Sequence, residues 1–194
     1  MRLAQAKPHI SAASRLPTMH LDTNATVFDT AVIRAYVGLG SNLDDPPAQL
    51  RRALQALTEL PQTQLAAHST LYRSAPLGGL DQPDYLNAVA ALDTQLPAAT
   101  LLAALQTIED RQGRVRSAQR WQARTLDLDL LLYGELRLHD TALTVPHPGL
   151  SERAFVLYPL QEIAPDLVVP GLGELSALIA HCPRADLQRL DGTV

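Results

Sequence analysis

The stretch from Arg124 to Leu132, RTLDLDLLL, alternates leucine with acidic residues and decides how this chain folds. Side chains two apart on a β-strand point to the same face, so the pattern predicts a strand with a leucine face and an aspartate face. The leucine face, suited to a core, comprises Leu126, Leu128, Leu130 and Leu132. Asp127 and Asp129 would lie about 6.6–7 Å apart on the other face. Because like charges repel and aspartate is a poor strand former, this pair indicates a functional site.

The composition is that of an ordinary globular protein, and it argues against several classes of function. The 194 residues suffice for one well-buried domain, with 46% hydrophobic and 19% charged residues. The net charge of −4 argues against a dedicated nucleic-acid binder. No apolar run approaches the roughly 20 residues of a membrane span, and no secretory signal is recognisable. Cys182 is the only cysteine, which excludes a cysteine zinc site, and a cytoplasmic location is expected.

Strand and helix patterns interleave along the chain and predict an α+β or α/β sandwich. Residues 1–33 show no sustained period and are expected to form a loosely attached extension, with a composition compatible with disorder. The folded domain is expected over residues 34–194. Strands are predicted at 33–40, 70–73, 85–92 and 124–132, and helices at 46–57, 98–112 and 175–181.

Carboxylates and guanidiniums are concentrated in and before the 124–132 strand. Asp127 and Asp129 make an oxygen site suited to Mg²⁺, which takes one or two carboxylates together with water and phosphate oxygens. Arginine binds phosphate oxygens bidentately, and a P-loop is excluded because Lys7 is the only lysine. The combination favours phosphoryl chemistry under a mobile loop, although a solvated basic loop or an RNA-binding patch is the alternative. The arginines are Arg111, Arg114, Arg116, Arg120 and Arg124.

Other polar residues have both a functional and an ordinary explanation. Tyr85 and Asn87 share a strand face, where a ring and an amide suit a flat heterocycle, or they pack at a core margin. Gln106 and Glu109 lie three apart on a helix and can reach a common ligand, or they form a surface pair. GLGSN at residues 38–42 is a weak phosphate-loop motif, because it lacks the third glycine of a dinucleotide fingerprint. His147, in VPHPG, is more often a turn residue than a ligand.

Four blocks, in order, resemble the 6-hydroxymethyl-7,8-dihydropterin pyrophosphokinase family of folate biosynthesis. They are GLGSNL, LYRSAPLGGLDQPDYLNAVAAL, IEDRQGRVRSAQRWQARTLDLDLLLYG and LTVPHPGLSERAFVLYPLQEIAPDL, spanning roughly residues 34–170. The resemblance implies a monomeric α+β protein with a ferredoxin-like antiparallel sheet in an αβα sandwich. It also implies transfer of a pyrophosphoryl group from MgATP to the pterin hydroxymethyl oxygen, with release of AMP. The partners would be these two small molecules, without nucleic acid or membrane.

The resemblance also implies a role for each matching residue. Asp127 and Asp129 would hold two Mg²⁺ ions, and Arg114 and Arg124 would be catalytic arginines on the triphosphate. ATP would contact Gln106, Glu109, Arg116, Trp121, Leu130, Thr144, His147 and Arg153. The pterin ring would lie between Tyr85 and Phe155, with its edge read by Asn87, Ser74 and the backbone of Ala75 and Leu77.

Several departures from the family pattern are expected to weaken nucleotide affinity without abolishing activity. Gln122 and Ala123 replace a small pair such as Gly-Pro before the arginine of RxxDxD, and Ser74–Ala75 replaces Thr-Pro. Ser117, Ala142 and Pro148 are further departures. Two other functions stay open at this point. One is a different two-metal enzyme, such as a nucleotidyltransferase or phosphohydrolase, and the other is a ferredoxin-like RNA-binding module.

Overall fold

The secondary structure of the chain alternates between strands and helices, as its sequence predicts. The computed structural model describes residues 31–79, 81–115, 122–184 and 186–190, and within them there are ten strands and four α-helices. The first half contains β1 (Ile33–Ser41), α1 (Pro46–Thr58), β2 (Thr63–His68), β3 (Tyr72–Ser74), β4 (Tyr85–Thr94) and α2 (Ala98–Arg111). The second half contains β5 (Asp127–Tyr133), β6 (Leu138–His139), β7 (Thr144–Val145), α3 (Ala154–Ile163), β8 (Val168–Val169), β9 (Gly173–Glu174), α4 (Leu175–His181) and β10 (Gln188–Arg189).

The main sheet has the strand order β10-β3-β4-β1-β5, and β2 pairs with the far end of β4. Every pairing in it is antiparallel. The first strand therefore lies between β4 and β5, and α1 and α2 are the connections that cross the sheet. This is the ferredoxin-like arrangement that the resemblance implies, and the predicted α+β class is confirmed.

Both faces of the sheet are covered by helices, which gives the molecule two hydrophobic cores. In the first core, α1 and α2 pack on the sheet through buried side chains that include Leu50, Leu57, Leu101 and Leu105. In the second core, on the opposite face, α3 and α4 pack on the sheet through buried side chains that include Leu157, Leu160 and Leu175. Because helices cover most of both faces of the central strands, the sequences of these strands contain apolar residues on both faces. The predicted αβα sandwich is confirmed. Among the described residues, no helix combines the length and apolar character needed to cross a membrane.

The prediction that four leucines of the deciding stretch share one face is wrong for Leu132. Leu128 and Leu130 pack in the core under α1 and α2, but Leu131 and Leu132 both pack in the core under α3 and α4. The cause is a bulge: Tyr36 pairs with Leu132 and Val37 pairs with Leu130, so Leu131 is an extra residue on β5. The strand also begins at Asp127 and not at Arg124.

The second strand of the chain was not predicted. It is β2, a half-exposed strand whose sequence TQLAAH alternates only weakly, and which pairs with β4 on one side. The predicted 70–73 strand is β3, shifted to Tyr72–Ser74. The shift has a local cause, because the Thr70 backbone N–H donates to the Glu162 carboxylate and not to a neighbouring strand. The predicted 1–33 extension overlaps β1 at Ile33, and residues 1–30 lie outside the described residues.

Candidate active site

The register of three strands places the residues of the candidate site in one row. Gly40 in β1 is opposite Asn87 of β4 on one side and opposite Asp127 of β5 on the other. Directly opposed residues in a sheet share a face, and adjacent strands lie about 4.8 Å apart. Asn87 and Asp127 therefore face the same side across a gap of about 10 Å. In the next row Gly38 is opposite Asp129.

A cavity of about 240 Å³ lies over these two rows. Gly38 and Gly40 in the middle strand contribute no side chains to its floor, while β4 and β5 supply polar groups on either side. Most of the residues predicted for the site line this cavity: Ser74, Ala75, Leu77, Tyr85, Asn87, Arg114, Arg124, Asp127, Asp129, His147, Arg153 and Phe155. The structure thus brings together side chains from segments that are far apart in the sequence.

Asp127 holds two of the predicted arginines. Its Oδ1 lies 2.6 Å from Nη1 of Arg114 and 2.9 Å from Nη1 of Arg124. Arg114 is also paired with Glu109, which is only 2% exposed. Glu109 also accepts a hydrogen bond on Oε1 from the backbone N–H of Leu128 over 2.8 Å. Glu109 therefore fixes Arg114 against β5. Arg114 and Arg124 both place their guanidiniums beside Asp127.

Asp129 lies one row further along β5 and faces two basic side chains at longer distances. Its Oδ2 is 3.8 Å from Nε2 of His147 and 3.7 Å from Nη1 of Arg153. Desolvation at the cavity floor and the neighbouring charge of Asp127 raise the pKa of Asp129 to about 7. An additional cation at this position would relieve both effects. The two carboxylates are therefore suited to binding a hard divalent cation.

His147 is held as a neutral imidazole. The backbone N–H of Gly149 donates to its Nδ1 over 3.1 Å, so the ring proton is placed on Nε2, the atom nearer Asp129. Desolvation, reinforced by the positive charge of Arg153, lowers the pKa of His147 to about 4. At neutral pH this side chain offers a hydrogen-bond donor to the cavity without adding a charge.

The guanidinium of Arg153 lies against the backbone of Gly149. A Cβ atom at position 149 would be 2.5 Å from Nε of Arg153, so only glycine leaves room for this conformation. On its other side the guanidinium carbon is 5.9 Å from the ring centre of Phe155, within the range of a cation–π contact. Arg153 and Phe155 are therefore positioned together at the start of α3.

Polar groups on the β4 side are fixed by hydrogen bonds. The amide nitrogen of Asn87 donates to the Ser74 hydroxyl over 3.0 Å and to the backbone oxygen of Tyr72 over 3.3 Å. Its Oδ1 lies beside the open side of Gly40, where a Cβ would be 3.5 Å away. Asn87 is thus oriented with its acceptor oxygen towards the cavity floor. The Tyr85 hydroxyl donates to the backbone oxygen of Gln122 over 2.9 Å, and burial is the main cause of its raised pKa.

Asn42 supports the site without lining the cavity, a role that the sequence analysis of GLGSN did not predict. It is 3% exposed, and its side chain accepts the Arg124 backbone N–H over 2.8 Å while donating to the Pro83 backbone oxygen over 3.1 Å. Its own N–H donates to the Arg124 backbone oxygen over 3.1 Å. Asn42 therefore joins the segment before β4 to the segment before β5. The available sequence signal was the position of the polar pair Ser41–Asn42 directly after a glycine-rich strand. The structure shows that both residues are buried.

Six predicted ATP contacts do not line this cavity, or are not described. One of them, Glu109, is buried and contacts Arg114, which does line it. Gln106 is exposed on α2, and Leu130 is buried in the core under α1 and α2. Thr144 lines a second cavity of about 560 Å³, which shares His147 with the first. Arg116 and Trp121, like Ser117 and Arg120, lie outside the described residues.

Comparison with known proteins identifies close relatives. The family model described as 7,8-dihydro-6-hydroxymethylpterin-pyrophosphokinase matches residues 36–165. A Pseudomonas aeruginosa protein named 2-amino-4-hydroxy-6-hydroxymethyldihydropteridine pyrophosphokinase is 54% identical over 159 residues, covering 82% of this chain and 98% of that protein. A Haemophilus influenzae protein with the same name is 50% identical over 148 residues, covering 76% of this chain and 92% of that protein.

Solved structures with a similar fold include Plasmodium falciparum HPPK-DHPS. Its wild type with pteroate gives a TM-score of 0.61 at 12% identity, covering 77% of this chain and 44% of that chain. Its wild type with pterin and p-hydroxybenzoate gives 0.60 at 13% identity, covering 79% and 43%. At this identity the likeness shows the fold alone, and this chain spans less than half the length of those chains.

Proposed function

Because the chain belongs to the 7,8-dihydro-6-hydroxymethylpterin-pyrophosphokinase family, we propose that the cavity over β4, β1 and β5 is its active site. The reaction transfers a pyrophosphoryl group from ATP to the hydroxymethyl group of 6-hydroxymethyl-7,8-dihydropterin, in folate biosynthesis. The chain is an ATP-dependent transferase acting on small molecules. The observation that carries the placement of the site is the row in which Gly40 separates Asn87 from Asp127.

The pterin is proposed to bind at the β4 side of the cavity. Tyr85 and Phe155 line it from two different elements and can contact the two faces of a flat ring. Asn87 is already oriented by Ser74, so its acceptor oxygen is available for a ring N–H or amino group. The ring edge is proposed to be read by Asn87, Ser74 and the backbone of Ala75 and Leu77.

The triphosphate is proposed to bind at the β5 side, with Arg114 and Arg124 as catalytic residues. Both guanidiniums now contact Asp127, and each can exchange this carboxylate for phosphate oxygens because the two acceptors have similar geometry. His147 presents its Nε2–H to the same region without adding charge. Of the proposed ATP contacts, His147 and Arg153 line this cavity, whereas Gln106, Glu109, Leu130 and Thr144 lie outside its lining. Arg116 and Trp121, which are outside the described residues, complete the proposed set.

Asp127 and Asp129 are proposed to hold two Mg²⁺ ions. Two carboxylates on one strand face, one with its pKa raised towards neutrality, match the preference of Mg²⁺ for a few carboxylates plus phosphate oxygens. When bound, Mg²⁺ would neutralise phosphate charge as the pyrophosphoryl group is transferred. No covalent intermediate with the protein is needed. The role of the side chains is to hold the pterin hydroxyl in line with the leaving AMP oxygen and to place positive charge around the triphosphate.

Three further properties are proposals that follow from the sequence analysis. We propose that the protein is a monomer and that it acts in the cytoplasm. We also propose that the pyrophosphokinase domain corresponds to residues 34–194 and that residues 1–33 form an extension of it. The family match over residues 36–165 supports the start of this domain.

The metal assignment is tested with Asp127→Asn and Asp129→Asn. Each variant keeps the size of the side chain but removes a carboxylate, so pyrophosphoryl transfer should fall by at least about 100-fold. Asp93→Asn is the matched control, because Asp93 is also a strand aspartate paired with an arginine, Arg34, but does not line the cavity. AMP formation by the two site variants at the rate of the control would rule out both carboxylates as metal ligands.

A further inference from the structure

A glutamate at the far end of α3 connects this helix to β3. In the last turn of α3, Glu162 accepts the Thr70 backbone N–H on Oε1 over 2.9 Å. Its Oε2 accepts the Thr70 hydroxyl over 2.9 Å and the Tyr72 hydroxyl over 2.8 Å. Three hydrogen bonds, two from Thr70 just before β3 and one from Tyr72 in β3, therefore converge on a single carboxylate. The Glu162 side chain is 22% exposed, and neither Thr70 nor Tyr72 lines the cavity.

This carboxylate is also ionised and supported from a third element. Burial would raise the pKa of Glu162, but the hydrogen bonds from Thr70 and Tyr72 and the charge of Arg189 outweigh it, so the pKa is lowered. Arg189 in β10 places Nη2 3.5 Å from Glu162 and donates from Nε to the Thr70 hydroxyl over 3.0 Å. Hydrogen bonds to a charged acceptor are stronger than neutral ones, which makes this a firm connection between α3, β3 and β10.

Both elements joined by Glu162 carry residues of the pterin side of the cavity. Phe155 is in the first turn of α3, two turns before Glu162 on the same helix. β3 pairs with β4 so that Tyr72 is opposite Asn87 and Ser74 is opposite Tyr85. The Tyr72 backbone oxygen and the Ser74 hydroxyl are the two acceptors that orient Asn87. Any shift of α3 relative to β3 would therefore change the separation between Phe155 and the Tyr85–Asn87 side.

We propose that Glu162 is a positioning residue that sets the width of the pterin slot between α3 and β4. A flat ring in contact with both sides needs them about 7 Å apart, twice a van der Waals contact of about 3.5 Å. A displacement of about 1 Å at such a site is enough to cost a large factor in activity. The inference rests on the proposed function, because it takes the pterin to lie between Tyr85 and Phe155.

The test measures kinetics for both substrates in Glu162→Gln and Tyr72→Phe. Glu162→Gln removes the charge and one acceptor, and it should raise KM for the pterin about tenfold while KM for ATP changes less than about twofold. Tyr72→Phe removes a single hydrogen bond and should give a smaller effect in the same direction, and it serves the test if Glu162→Gln does not fold. Glu59→Gln is the matched control, because Glu59 ends α1 on the opposite face of the sheet.

A double-mutant cycle distinguishes positioning from a general loss of stability. If Glu162 acts by placing Phe155, the Glu162→Gln effect on pterin KM should largely disappear in a Phe155→Ala background. Equal increases in both KM values, or additive effects in the cycle, would overturn the proposal. An unchanged pterin KM in an active Glu162→Gln enzyme would overturn it while leaving the proposed function intact. A wild-type protein without pterin-dependent AMP formation would instead contradict the proposed function.

Discussion

Gly40 is the residue that leaves space for a substrate between the two polar sides of the site. It lies in the middle strand, opposite both Asn87 and Asp127, and lines the cavity. The sequence suggested a weak phosphate loop around this glycine, but the structure places it inside a regular strand. Its contribution is the absence of a side chain, and not a special backbone conformation.

Gly40→Ala should therefore impair pterin binding without disturbing the fold. A Cβ atom there would meet Asn87 Oδ1 at 3.5 Å and Tyr85 Cδ1 at 3.9 Å, which are ordinary contact distances. The methyl group would instead occupy cavity space, so we expect pterin KM to rise about tenfold with little change in Tm. Steady-state kinetics provide the measurement, with ATP KM as the internal control. A wild-type pterin KM would show that the ring does not approach this row.

Asp129 and His147 lie close together but have pKa values shifted in opposite directions. Desolvation disfavours the charged form of each, which raises the pKa of the carboxyl to about 7 and lowers that of the imidazole to about 4. Near neutral pH the imidazole is thus uncharged, and the carboxyl is close to its titration point. Without a bound metal ion, ionisation of Asp129 therefore lowers the free energy of unfolding.

The sign of this effect gives a prediction for stability against pH. Asp129 has a folded-state pKa above the unfolded value of about 3.9, so its stabilising contribution is complete below that value and lost as pH rises through about 7. Asp129→Asn should raise the Tm of the Mg²⁺-free protein at pH 8, with a smaller gain at pH 5.5. Thermal unfolding at the two pH values measures this. Equal gains at both would mean that Asp129 ionises normally in the fold.

The arrangement of elements depends on features that local sequence patterns do not contain. The period of two correctly predicted the shared face of Tyr85 and Asn87 and that of Asp127 and Asp129. It was wrong for Leu132, because a bulge in β5 depends on the register with β1. β2 was missed because its pairing with β4, and not its weak alternation, stabilises it.

Asn42 illustrates the same limit within the site. Two of its hydrogen-bond partners, Arg124 and Pro83, are 82 and 41 residues away along the chain. Nothing in the pattern of residues 38–42 indicates those partners. The residue acquires its role only once β1 lies between β4 and β5, which brings the segments before β4 and β5 to the end of β1.

Asn42→Ala should weaken the connection between those two segments. The Arg124 N–H and the Pro83 carbonyl would each lose a partner in a buried region, so we expect a loss of about 1–3 kcal/mol in the free energy of unfolding. Because Arg124 carries a guanidinium to Asp127, kcat should fall as well. Denaturant unfolding and kinetics measure both effects. Gln55→Ala is the control, since it removes an exposed amide hydrogen bond on α1. A stable Asn42→Ala enzyme with wild-type kcat would contradict this role.

At the scale of the molecule, one sheet covered on both faces supports the whole site. Periodicity predicted the order of most elements and an α+β or α/β sandwich, and the family resemblance of the four motif blocks implied the α+β class and the ferredoxin-like topology. The cavity could not be predicted from these patterns. It depends on the register between β4, β1 and β5 and on the packing of α3 beside them, which brings Phe155 into the cavity wall. The positions of Gln106, Leu130 and Thr144 outside the main cavity are likewise a result of packing.

The central claim is that this cavity transfers a pyrophosphoryl group from ATP to a pterin alcohol. The most direct measurement is ³¹P NMR of the full-length protein incubated with MgATP and 6-hydroxymethyl-7,8-dihydropterin. The account predicts equal amounts of AMP and a pterin diphosphate, with no product when the pterin is omitted. Formation of ADP, inorganic phosphate or free pyrophosphate in place of AMP and the pterin diphosphate, or unchanged ATP with fresh reduced pterin present, would contradict it.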